Sequence, residues 1–220
     1  MLAEILENLR PSMPEGGRRN KRASVVLQGL GGIGKTQVAF EYVRRNMGDY
    51  SAVFWVDASS PDALNESGRR TVERLISHYA KKHLGQQTFA AIATDLQIPG
   101  QINSSGQLIG NAATSPWSCV RRWMARDMNA GWCLVIDGIN DEADGDRMLE
   151  LLPPCAHGHV IATSRVRIPD FDLISVPVLE EDSSVKLLLE SQKASPTEEG
   201  ISPSAQRCKS IPRHADYSVT

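Results

Sequence analysis

Eight consecutive residues, Gly29-Leu30-Gly31-Gly32-Ile33-Gly34-Lys35-Thr36, place four glycines ahead of a lysine and a hydroxyl. Glycines let a backbone wrap closely around an anion with successive N–H groups turned inward. A lysine at the end of such a loop adds a point charge, and a threonine hydroxyl is a hard oxygen ligand for a divalent cation. The spacing fits GxxxxGK[ST] and predicts a phosphate-binding loop. Its expected contacts are Gly29, Gly31, Gly32, Ile33, Gly34 and Gln37, with Lys35 reaching the β- and γ-phosphates and Thr36 on Mg²⁺. The helix expected after Lys35 adds the positive end of its dipole. The bland alternative is a glycine-rich strand-to-helix turn that binds nothing.

About a hundred residues later, Cys133-Leu134-Val135-Ile136-Asp137 ends an apolar run on a carboxylate. At the carboxyl edge of a buried strand, where α/β sheets bind ligands, Asp137 is placed to hold the magnesium through its water shell. A core strand that merely ends in a solvated Asp is the competing reading. Hydrolysis asks for a further acid to orient the attacking water. The next residue is Gly138, so that place is empty, and Asp141 or Glu142 from the following loop are the substitutes. Both also read as ordinary first-turn acids of the next helix. A third element, Thr163-Ser164-Arg165, follows another apolar run, and there Arg165 is either a γ-phosphate sensor or a solvated strand-end arginine. The sequence thus predicts at most a slow ATPase, with Asp137, Asp141 and Arg165 as its candidate catalytic residues.

The elements that must position these residues alternate. Ser24–Gln28 is a short apolar strand, and the run after Lys35 is helical, with Val38, Ala39, Tyr42 and Val43 on one face. AVFWVD at 52–57 is a second strand, and Ser60 caps a helix that has Pro61 in its first turn and Val72, Leu75, Ile76 and Tyr79 at helical spacing. Residues 97–115, rich in Gly, Ser, Asn and Gln, read as a surface loop. A helix around Trp117–Arg126 leads to CLVID at 133–137, and HVIAT at 159–163 and DLISV at 172–176 are two more strands. A last helix is capped by Asp182. Buried strands separated by helices predict a parallel sheet covered on both faces, the three-layer α/β sandwich of P-loop NTPases. Residues 1–23 read as an amphipathic helix (Leu2, Ile5, Leu6, Leu9) and a linker, 24–190 as the domain, and 191–220 as a disordered tail.

The 220 residues suffice for one α/β domain, and 41% hydrophobic with 23% charged residues is ordinary for a globular chain. A formal charge of −2 gives no reason to expect nucleic acid or an acidic membrane surface as a partner. No apolar run approaches the roughly 20 residues needed to span a bilayer. The four cysteines lack CxxC spacing, which fits a reducing, cytoplasmic compartment. His157 and His159 lie close together without a completing metal set, and Trp55 and Trp132 read as core. The basic stretch Arg18-Arg19-Asn20-Lys21-Arg22 reads as a solvated linker.

Taken together, VVLQGLGGIGKTQVAFEYV, AVFWVDASS, WCLVIDGIND and HVIATSR resemble the NB-ARC domain of STAND signalling NTPases, especially the receptor-like proteins abundant in fungi, over residues 24–190. GGIGKTQVA and TSR favour NB-ARC over its sister NACHT, whereas Gly138 after Asp137 leans toward NACHT. The resemblance implies a P-loop sheet in which the strand ending in Asp137 lies beyond the strand feeding the loop. It also implies a switch, ADP-bound at rest and ATP-bound and oligomeric when triggered, with self-association or related STAND proteins as partners. The implied output is defence or programmed cell death. The GLPL motif and winged-helix histidine of that family have no counterpart here, nor does its adenine-contacting segment, so a partial switch is expected. An active P-loop or AAA+-type ATPase, and an interaction fragment without turnover, are the alternatives.

Overall fold

Five stretches rich in Val, Ile and Leu pair in parallel, and one of them feeds the glycine loop. They are seen in a computed structural model that describes residues 1–9, 22–82, 91, 92, 94, 96, 101–103, 105–109 and 115–178. The strands are β1 (Ala23–Gln28), β2 (Ala52–Asp57), β5 (Trp132–Ile139), β6 (His159–Ser164) and β7 (Asp172–Ser175). They form a five-stranded sheet in the order β2-β5-β6-β1-β7, every pair parallel. The strand ending in Asp137 therefore lies beyond β1, with β6 between them, the order that the resemblance implied.

Successive strand residues face opposite sides, and helices cover both, which is why these strands are apolar throughout. On one face Val53, Cys133, Val135 and Ile161 pack with α1 (Leu2–Leu9) and α2 (Lys35–Asn46), which contribute Ile5, Leu9, Ala39, Tyr42 and Val43. On the other, Phe54, Leu134, Ile136 and Val160 meet α3 (Pro61–Lys82), α4 (Trp117–Ala125) and α5 (Glu142–Leu151), through Val72, Ile76, Val120 and Met148. This is a three-layer α/β sandwich. Ser60 Oγ accepts from Ala63 N at 3.1 Å, capping α3 where expected, with Pro61 at the first helical position, where its missing N–H costs nothing. The N-terminal helix joins the same core, since Ile5 and Leu9 are fully buried.

The described part of 97–115 is not the plain surface loop that its composition suggests. Its described residues include a two-stranded antiparallel hairpin, β3 (Gln101–Ile102) and β4 (Leu108–Ile109). Asn103 closes the turn, its Oδ1 accepting from Ser105 N at 3.0 Å and Gln107 N at 2.9 Å, while Gly106 supplies a φ of 81°. Leu108 is buried in the α3/α4 core. The polar residues that suggested a loop are thus the turn of a hairpin. The helix expected after Asp182 and the tail 191–220 lie outside the described residues.

Candidate functional site

The glycine loop bridges the end of β1 and the start of α2 at the carboxyl edge of the sheet. Its glycines have separate reasons to be there. A Cβ on Gly29 would sit 3.1 Å from the Val176 carbonyl, so the loop leaves the sheet under the β7 exit. Gly32 and Gly34 hold φ values of 78° and 99°, the left-handed region that L side chains rarely adopt. Gly34 is the N-cap of α2 and offers no side chain, so the first-turn N–H groups have no side-chain acceptor. Ile33 tucks under the loop against the α1/α2 core, while Gly31, Gly32, Thr36 and Gln37 are exposed. A glycine loop leading into a helix start without a side-chain cap is the kind of surface that holds phosphate oxygens.

Lys35 Nζ curls back over this loop and donates to the carbonyls of Gly29 at 2.8 Å and Leu30 at 2.7 Å. Its ammonium is held below the usual lysine range, first by burial and then by the nearby Arg165 charge, with Asp137 opposing both. Arg165 leaves the end of β6 with its backbone N–H on Ile139 O at 2.9 Å. Its guanidinium lies over the loop, with Nη2 only 2.9 Å from where a Gly31 Cβ would be. Two cations therefore converge on the loop at the start of α2, an arrangement that favours an anion between them.

Thr36 Oγ1 donates to Asp137 Oδ1 at 2.8 Å, joining residues 101 positions apart. The same carboxylate oxygen accepts from Thr163 Oγ1 at 2.5 Å, and Thr163 Oγ1 in turn accepts from Gly138 N at 2.9 Å. This chain has a backbone cause. Between Ile136 and Ile139 the β5–β6 register slips, with Ile136 beside Ala162 and Ile139 beside Ser164. The extra residue makes a bulge that Gly138 permits with φ 93°, and bulges beside sites commonly re-aim a side chain. Thr163, almost wholly buried, takes up the N–H that the bulge strands and steers Asp137. Along the chain Thr163 is simply a neighbour of Arg165. Its role depends on cross-strand register, which no local pattern carries.

Gly138 is thus a structural requirement of the bulge. A Cβ there would also lie 3.2 Å from Ser59 Cβ. Gly138→Ala is expected to destabilise the protein by about 1–3 kcal/mol through the strained φ and the close neighbour. A urea midpoint unchanged from the parent would refute this account of the position.

Asp141 is the N-cap of α5, its Oδ1 accepting from Asp144 N at 2.8 Å. Among the described residues no hydrogen bond joins it to Lys35, Thr36 or Asp137, and Glu142 is an exposed first-turn residue of the same helix. The two histidines are committed elsewhere, His157 Nε2 to Met124 O at 2.8 Å and His159 Nδ1 to Tyr50 OH at 2.9 Å. No cluster of three or more His, Cys, Asp or Glu residues that could hold a metal occurs among the described residues. Magnesium at a nucleotide needs no such cage, because it takes one or two carboxylates and fills the remainder with phosphate oxygens and water. Thr36 and Asp137, already in contact, have the chemistry that fits it.

A parallel sheet in this strand order, with a glycine loop and Lys-Thr pair between β1 and α2, defines a P-loop NTPase-like α/β fold. No family profile matches the chain, and no curated protein matches it. Among solved structures 25 chains match, including Cdc6p from Pyrobaculum aerophilum at 13% identity and a TM-score of 0.47. The match covers 80% of this chain and 45% of that one, so this chain spans less than half of its length. The NB-ARC resemblance stays finer than anything these matches reach. No helix among the described residues is long and apolar enough to cross a membrane.

Proposed function

We propose that this chain binds ATP and ADP with Mg²⁺ and serves as a nucleotide-dependent switch with slow turnover. The observation that carries the reading is the 2.8 Å contact of Thr36 Oγ1 with Asp137 Oδ1 beside an uncapped helix start. A hydroxyl from the loop and a carboxylate from a distant strand meet where a phosphate-bound cation would sit. Bound magnesium would supply charge neutralisation of the β- and γ-phosphates. This chain's own groups do the remainder: the loop N–H groups and Lys35 grip the phosphates, and Arg165 reads the γ-phosphate. The finer reading, a signalling module that self-associates with related chains in a fungal defence or self/non-self response, is supported by the resemblance of the four quoted segments to NB-ARC domains.

Magnesium should raise ATP affinity more than ADP affinity, because the γ-phosphate adds oxygen ligands and charge for the ion to offset. Asp137→Asn should shrink that difference. Calorimetric titrations of both nucleotides with and without Mg²⁺ measure it, and equal affinities throughout would remove Thr36 and Asp137 from the site. Steady-state phosphate release should stay below roughly 1 s⁻¹, the low end of ordinary enzyme turnover. Faster release would favour a true ATPase over a switch.

A further inference from the structure

With Gly138 closed to any side chain, the place beside Asp137 is filled from the neighbouring strand. Asp57 ends β2 in direct register with Asp137. Adjacent strands lie about 4.8 Å apart, and register partners face the same side of a parallel sheet. That side is the α2 face: Val53 packs in the α1/α2 core, and the Trp55 ring approaches Phe40 of α2, centroids 6.4 Å apart. Asp57 lies two residues past Trp55 toward the carboxyl edge, as Thr36 lies one turn before Phe40 toward the same edge. Asp57 is exposed, and its turn is fixed: Oδ1 accepts from Ser59 N at 2.9 Å and Ser59 Oγ at 2.6 Å. The same turn sets Ser59 against Gly138 and sends Ala58 N to the Asp137 carbonyl at 2.7 Å. Among the described residues Oδ2 has no hydrogen-bond partner.

We propose that Asp57 is the carboxylate that orients the attacking water, an assignment that rests on the nucleotide-binding reading above. In the step, the water oxygen bonds to the γ-phosphorus while the bond from phosphorus to the β,γ-bridging oxygen breaks. That electron pair leaves on ADP. Asp57 Oδ2 accepts a hydrogen bond from the water and passes one proton to solvent, and the other stays on the released phosphate. A carboxylate held on the next strand, turned by Ser59, suits occasional turnover in a protein that holds its nucleotide.

The experiment uses the full chain and Asp57→Asn, whose side-chain oxygen can still accept both Ser59 bonds. Single-turnover hydrolysis of Mg·ATP is expected to slow on the order of a hundredfold. Affinity for Mg·ADP should stay within about twofold, while affinity for Mg·ADP with aluminium fluoride, which mimics the transition state with its apical water, should fall about tenfold or more. Ser59→Ala should lower the rate without changing ADP affinity, and it decides the matter if Asp57→Asn does not fold. Hydrolysis reduced less than tenfold, or unchanged aluminium fluoride binding, overturns the assignment. A parent that binds ADP but never hydrolyses ATP overturns it too, leaving nucleotide binding intact. A parent that binds neither nucleotide overturns both.

Discussion

Lys35→Ala is expected to weaken ADP and ATP binding by on the order of 2–5 kcal/mol, the usual loss when a charge partner is removed from a desolvated anion. That is roughly a 30- to 5,000-fold rise in Kd. The folded protein should not suffer the same loss. Among the described residues Lys35 donates only to two loop carbonyls, Gly29 and Leu30, and burial and Arg165 hold its ammonium below its usual range. A base whose folded pKa is depressed binds its proton less tightly when folded than when unfolded. Its charge therefore opposes folding at neutral pH, and that opposition fades as pH rises through the folded value toward the unfolded one. Thermal unfolding of ligand-free Lys35→Ala should accordingly match or slightly exceed the parent, while its calorimetric affinity collapses. Lys35→Arg should not rescue binding, because a planar fork cannot replace a compact ammonium inside the loop. Equal affinity in parent and Ala variant would mean that the loop binds no phosphate.

The loop and its flanking elements were legible because they are local. Consecutive apolar residues between turn signals marked the five sheet strands to within two residues at most ends, and Ser60-Pro61 marked the start of α3. What stayed hidden depends on pairing between distant segments. The bulge at Asp137-Gly138 exists only against β6, so neither the need for Gly138 nor the role of Thr163 was visible along the chain. Asp57 read as an ordinary strand end until register set it beside Asp137. Residues 101–109 hid a hairpin because Asn103 and Gly106 are turn residues, and the two strands they join are only two residues long. Asp141 is the opposite case. Its acid chemistry suggested a base, whereas its position one residue before α5 made it a cap.

Gly158 is the position whose substitution should most damage the fold. It lies just before β6 with φ 79°, and a Cβ there would fall 2.5 Å from Trp132 Cδ2, inside the indole. The ring has nowhere to go. Trp132 is fully buried, and its Nε1 donates to Met124 O at 2.9 Å, a bond that a displaced indole would forfeit. The ring also meets His157 edge to face, centroids 6.2 Å apart, and His157 is itself bonded to Met124 O. Left-handed strain, overpacking and an orphaned buried N–H add up to about 3–6 kcal/mol for Gly158→Ala, a large share of a typical domain's 5–15 kcal/mol. Gly145, in α5 with nothing within 4 Å of its Cβ position, is the control, and Gly145→Ala should stabilise by about 0.5–1 kcal/mol. Urea unfolding of both variants reads the contrast. A Gly158→Ala midpoint within error of the parent would mean that Trp132 does not pack over the turn into β6, and the core beneath Asp137 would have to be redrawn.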